Sequence, residues 1–97
     1  MGEELRIAKM VSKANGRVGF YLDLVTIEVL GVLREADEDG RTIKGKMVIS
    51  NQHGQVETPV KVDSNGCFYT PLNKKELDAL QVYPHYIGAF NIRYERE

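Results

Sequence analysis

The sequence predicts an all-β domain with two short helices, built as two strand–strand–helix–strand units that together close a six-stranded β-barrel. Three observations carry that expectation. First, residues 15–32 lie over residues 65–82 without a gap: Asn15-Gly16 falls on Asn65-Gly66, Leu22 on Leu72, Leu30 on Leu80 and Val32 on Val82. Between those identities Val18 meets Phe68, Asp23 meets Asn73, Ile27 meets Leu77 and Glu28 meets Asp78. Second, each copy places an Asn-Gly pair between apolar stretches, a turn signal because both residues tolerate positive φ. Third, Asn73-Lys74-Lys75-Glu76 reads as a capping box, with Asn as N-cap and Glu at N3. An internal repeat of this kind fixes an architecture that composition leaves open.

The elements follow in order. Leu5 to Val11 reads as a strand, with Leu5, Ile7 and Val11 on one side and Lys9 breaking the row. Lys13-Ala14-Asn15-Gly16 is a turn, and Arg17 to Leu22, with two aromatics, returns as the second strand of a hairpin. Leu24 to Leu30 is rich in β-branched residues, which favour strand. The repeat predicts a helix there instead, capped by Asp23 and closed by a left-handed Gly31. Arg41 to Ser50 alternates: Ile43, Gly45, Met47 and Ile49 on one side, Thr42, Lys44, Lys46 and Val48 on the other. Residues 51–55 link it to a strand from Val56 to Val62. Asp63 to Gly66 is the second turn, Cys67 to Thr70 a strand ended by Pro71, and Asn73 caps the second helix. Ile87 to Tyr94 is the last strand. Repeat one thus spans about residues 5–50 and repeat two about 56–94 of a single domain, 1–97.

A chain of 97 residues is one small domain. Its formal net charge is −1, and charge is balanced in both halves. No global positive field draws it to nucleic acid or an anionic membrane. Cys67 is the only cysteine, so no intrachain disulfide forms. That suits a reducing compartment. The first residues have no signal-peptide pattern, and the longest apolar stretch is broken by Asp23 and Glu28. A cytoplasmic protein with no membrane partner is expected.

The segment from Val60 to Val82, Val-Lys-Val-Asp-Ser-Asn-Gly-Cys-Phe-Tyr-Thr-Pro-Leu-Asn-Lys-Lys-Glu-Leu-Asp-Ala-Leu-Gln-Val, resembles the AbrB/SpoVT-like swapped-hairpin family. The shared pattern is a strand, a Gly turn, a strand ending in an apolar-Pro step, a helix with a Glu-Leu pair, and Leu-x-Val. The resemblance extends to about Tyr94, and the first half is a fainter copy. Two copies in one chain imply a monomeric barrel of the cradle-loop group, with the RIFT type preferred over the swapped-hairpin and double-psi forms. Small archaeal barrel proteins are the nearest whole-chain likeness. Two departures bear on DNA binding. Cys67 stands where relatives carry Arg beside the turn Gly, a place that Arg17 keeps in the first half. Tyr83-Pro84-His85-Tyr86 replaces the Gly-Asp step before the last strand.

Three functions are weighed. As a nucleic-acid-binding or transcription-regulator-like module, the chain offers Lys9, Lys13 and Arg17 around the first turn, and Arg41, Lys44 and Lys46 along one strand, to grip phosphates. Resemblance to the group that contains archaeal CTP-dependent riboflavin kinases implies, as an alternative, a nucleotide or flavin-related ligand. No P-loop or other Gly-rich phosphate loop supports it. The third reading is a protein-interaction or oligomerising module, prompted by Tyr69, Tyr83, Tyr86, Phe90 and Tyr94. No catalytic residue, metal site or cofactor is assigned. His53 and His85 read as loop histidines, and Cys67 as a buried or half-buried structural residue. The acidic run from Glu35 to Asp39 reads as a solvated loop rather than a calcium site, since Gly40 is followed by Arg41 and Lys44.

Overall fold

The computed structural model describes residues 4–14, 16–32 and 43–96. Eight strands and two helices follow in the order β1 (Leu5–Met10), β2 (Ser12–Ala14), β3 (Arg17–Leu22), α1 (Leu24–Leu30), β4 (Lys46–Asn51), β5 (Gly54–Pro59), β6 (Lys61–Val62), β7 (Phe68–Pro71), α2 (Lys74–Leu80) and β8 (Ile87–Glu95). The chain is mostly β with two short helices, as its alternating patterns and paired caps require.

The closed six-stranded barrel is not found. The described strands form two four-stranded antiparallel sheets, ordered β1-β8-β4-β5 and β2-β3-β7-β6. The expected Val56–Val62 strand is split between the sheets, and the expected Leu5–Val11 strand is continued into the other sheet by β2. β1 leaves its ladder at Val11, whose N–H donates to Tyr86 O and whose carbonyl accepts from His85 N. The backbone groups at this bend are therefore spent on a loop, not on a neighbouring strand. β5 leaves its ladder after Pro59, which has no N–H to donate, and continues past Val60 into β6. Val11 and Val60 are both buried, so each bend is anchored by an apolar side chain in the core. Two shorter corrections accompany these. β2 extends into the expected Lys13–Gly16 turn, and β4 starts at Lys46 rather than Arg41, after a Gly45 with φ 92°. Residues 33–42, with the acidic run and Arg41, lie outside the described residues.

Both helices are set by their ends. In α1 the Asp23 carboxylate accepts from Thr26 N at 2.7 Å, and Gly31 closes the helix in the left-handed region. In α2 the Asn73 and Glu76 side chains exchange hydrogen bonds with each other's backbone N–H. Gln81 supplies the left-handed cap, with φ 55°. These caps satisfy end groups that seven-residue helices have few other means of satisfying. They override the strand preference of Val25, Thr26, Ile27 and Val29.

The core lies between the sheets and under the helices. Phe20 and Phe90 meet at a ring-centroid distance of 4.9 Å. Ile27, Leu30, Met47, Ile49, Leu80 and Val32 close around them, each with no more than 1% of its surface exposed. Burying side chains of this size contributes roughly 1.5–3 kcal/mol each. Thr58 ties the sheets together by donating to Pro71 O at 2.5 Å.

Candidate nucleic-acid interface

Alternation along the second sheet sorts its residues into two faces. In β3 the side chains of Val18, Phe20 and Leu22 turn to the core, and in β7 those of Phe68 and Thr70 do the same. The outer face is left to Arg17, Gly19 and Tyr21 from β3, and to Tyr69 and Pro71 from β7. Ladder register then decides which of these meet. Tyr21 stands directly opposite Tyr69, and Lys61 of β6 stands opposite Tyr69 on its other side. From β2, Ser12 pairs with Gly19 and Ala14 with Arg17. None of the residues facing outward from these four strands is acidic.

The two tyrosine rings lie 5.6 Å apart, tilted by 34°. The Arg17 guanidinium reaches diagonally across Gly19, which has no side chain to obstruct it, and sits 5.2 Å from the Tyr69 ring centroid. That is cation–π distance. Tyr69 is thus flanked by a ring, a guanidinium and an ammonium stem. Both tyrosines are half-buried, and neither packs against the core. Arg17 and Lys61 are exposed and make no ion pair among the described residues. Among the described residues, nothing neutralises either charge ahead of an anionic partner.

Of the six cations expected to bind phosphate, the five described ones, Lys9, Lys13, Arg17, Lys44 and Lys46, do not come together. Among these five, Arg17 joins this face. Lys13 pairs with Val18 and so lies on the sheet's other face, exposed at its edge. Lys9 is half-buried on the inward row of β1, beside Phe20, Phe90 and Ile92. Lys44 is exposed ahead of β4, and Arg41 lies outside the described residues. Lys46 binds Glu57 at 2.8 Å and Glu95 at 3.7 Å. The hydrogen bond from Glu57 raises the Lys46 pKa above its ordinary value. Arg93 holds Glu95 at 2.9 Å and Glu4 at 3.6 Å, completing an alternating charge network on the first sheet. A lysine already bound by two carboxylates is a poor phosphate ligand.

The other singled-out residues are placed as follows. His53 and His85 are exposed in turns. Cys67 is exposed, contrary to expectation. It precedes β7, and its backbone N–H donates to Asp63 Oδ1, which holds it in the turn outside the ladder. Phe90 and Tyr94 are core residues, Tyr86 packs against the core, and Tyr83 is 62% exposed. Among the described residues no group of three His, Cys, Asp or Glu side chains is arranged for a metal ion. No helix among them is long and apolar enough to cross a membrane.

Comparison with family models, curated proteins and solved structures gives no match. The reading of this face therefore rests on its own geometry.

Proposed function

We propose that this chain binds single-stranded nucleic acid across the outer face of its second sheet. The observation that carries the reading is the Tyr21–Tyr69 pair with Arg17 over one ring and Lys61 beside it, on four strands that carry no acidic residue among those described. Unpaired bases stack on such rings, at about 1–3 kcal/mol per base. Duplex bases are already stacked on one another and have no faces to offer, so a single strand suits the site better. Two stacks and two phosphate contacts support a weak affinity, in the micromolar to millimolar range. The chain's net charge of −1 adds no long-range attraction.

The ladders also support the finer reading of the fold as a cradle-loop-type barrel with an internal repeat, the group that the AbrB-like resemblance suggested. With β1–β2 counted as one bent strand and β5–β6 as another, six strands follow one another in a ring through the two sheets. Exchanging the two halves of the chain leaves that ring order unchanged. The caps correspond as well: Asp23 with Asn73, and Gly31 with Gln81. On this reading the chain is a pseudo-symmetric scaffold in which one face has acquired the aromatic pair.

Fluorescence anisotropy of labelled oligothymidine and of a duplex, at low salt, tests the function. Saturable binding of the single strand, weakened by Tyr69→Ala and by Arg17→Gln, is expected. Absence of binding to any single strand, or binding unaffected by both substitutions, would exclude this face as the site.

A further inference from the structure

We propose that the outer face of the first sheet holds a separate site for a small ligand bearing an oxyanion, either a phosphate ester or a carboxylate. The site is a groove of about 360 Å³ bounded by Arg6, Asn51, Gln52, His53, Tyr86 and Asn91, with Ala89 between them. Its volume is in the range of small-molecule sites, and among the described residues no carboxylate lines it. The polar groups that face it are chiefly donors, which is the chemistry an oxyanion needs.

Each wall is held in place by something other than a ligand. Arg6 and Asn91 are directly opposed in the β1–β8 ladder, and Arg6 Nη1 approaches Asn91 Oδ1 at 3.5 Å. Asn91 Nδ2 has no protein partner among the described residues. Across the groove, the β4–β5 turn is pinned by Asn51. Its Oδ1 accepts from His53 N at 2.8 Å and Gly54 N at 3.2 Å, and its Nδ2 donates to Leu80 O at 2.8 Å. Gly54 lets the turn seat against α2, since a Cβ there would lie 2.6 Å from Ala79 O. The turn presents Gln52 and His53, whose Nε2 atoms are 3.2 Å apart. A neutral imidazole has one donor and one acceptor nitrogen, and a protonated one has two donors, so His53 can supply an N–H in either state. Tyr86 is locked edge-on against Tyr83 at 5.3 Å and against Phe90 at 6.4 Å. It gives the groove a rigid aromatic wall.

This arrangement combines one guanidinium fork, an amide donor and an imidazole N–H on two braced walls, with a ring between them. Preorganised donors of this kind lose little on binding. The site is built on the other sheet from Tyr21 and Tyr69 and does not depend on the nucleic-acid reading.

Amide chemical-shift titration of the full chain with inorganic phosphate, AMP and citrate tests the proposal. Saturable shifts are expected at Gln52, His53, Ala89 and Asn91 for at least one of the three. Arg6→Gln and His53→Gln, both exposed, are each expected to weaken binding about tenfold or more while leaving the melting temperature in place. Tyr69→Ala is expected to leave these shifts intact, which separates this groove from the second-sheet face. No saturable shift up to about 10 mM of any of the three probes overturns the proposal. So do shifts that persist unchanged in the two variants, or that centre on Arg17 and Tyr69 instead.

Discussion

Phe20 and Thr70 face each other directly across the β3–β7 ladder. They are also fifty residues apart, the same spacing that separates Asp23 from Asn73 and Gly31 from Gln81. The neighbouring pairs follow the same rule, for Gly19 opposite Pro71 exchanges with Tyr69 opposite Tyr21. Pairing a large ring with a small hydroxyl here fills the centre of the core once rather than twice. The cost falls on Thr70, which is fully buried and whose Oγ1 has no hydrogen-bond partner among the described residues.

Thr70→Val therefore removes an orphaned hydroxyl at constant volume. Stability is expected to rise by about 1 kcal/mol, since an unsatisfied buried hydroxyl costs roughly that much or more. Urea unfolding with an unchanged m-value measures it. A loss of stability would place a partner on the hydroxyl.

Arg17→Gln and Lys46→Gln separate a cation without a carboxylate partner among the described residues from one that has two. The first should weaken single-strand binding several-fold and lower the salt dependence by about one phosphate contact. The second should leave affinity unchanged, because Glu57 and Glu95 already hold Lys46. Anisotropy titrations at two or three salt concentrations distinguish the pair.

Acid should weaken the fold through Asp23 and Glu95. Hydrogen bonding to the Thr26 side chain and then to its backbone N–H holds the Asp23 carboxyl below its ordinary 3.8. The Arg93 hydrogen bond does the same to Glu95, whose ordinary value is 4.5. Each carboxyl binds its proton more readily in the unfolded chain. Each therefore stabilises the fold above its ordinary value and loses that contribution as pH falls through its lower folded value. Melting temperatures measured from pH 7 to about 2.5 should decline across that window. Asp23→Asn, which can still cap α1, and Glu95→Gln should flatten the decline.

The two helix C-caps predict effects of opposite sign. Gly31→Ala puts a side chain at φ 78° and should cost about 1 kcal/mol, although the space around it is open. Gln81→Gly relieves a side chain already at φ 55° and should gain about 0.5 kcal/mol, reduced by the greater freedom of glycine in the unfolded chain. Thermal unfolding of both variants checks the signs.

Local chemistry made the helices legible. Asp23, Gly31, Asn73 and Glu76 act within four residues of the backbone they cap, which marks α2 directly, and alignment with α2 located α1 against the strand preference of its interior. The bends at Val11 and Val60 were not legible, because they depend on which core the side chain enters and on a loop at residues 85–86. The candidate face was half legible. Arg17 was singled out from its turn, and two aromatics were noted in its strand. Which of Phe20 and Tyr21 faces outward, and that Tyr69 and Lys61 join it, is set by ladder register across nearly fifty residues. The same long-range pairing removed Lys46 from the site by setting Glu57 and Glu95 beside it.

β8 lies between β1 and β4, so the last strand of the chain is the centre of the first sheet. The β4–β5 ladder joins strands that are neighbours in sequence, while β1 pairs with the strand furthest from it along the described chain. Closing a loop of that length carries a high entropic cost before any contact offsets it. A chain that had not yet closed this loop would therefore hold Leu5, Ile7 and the inner side of β4 open to solvent. Docking of β1 on β8 would set the fold's slowest step and its greatest exposure to aggregation.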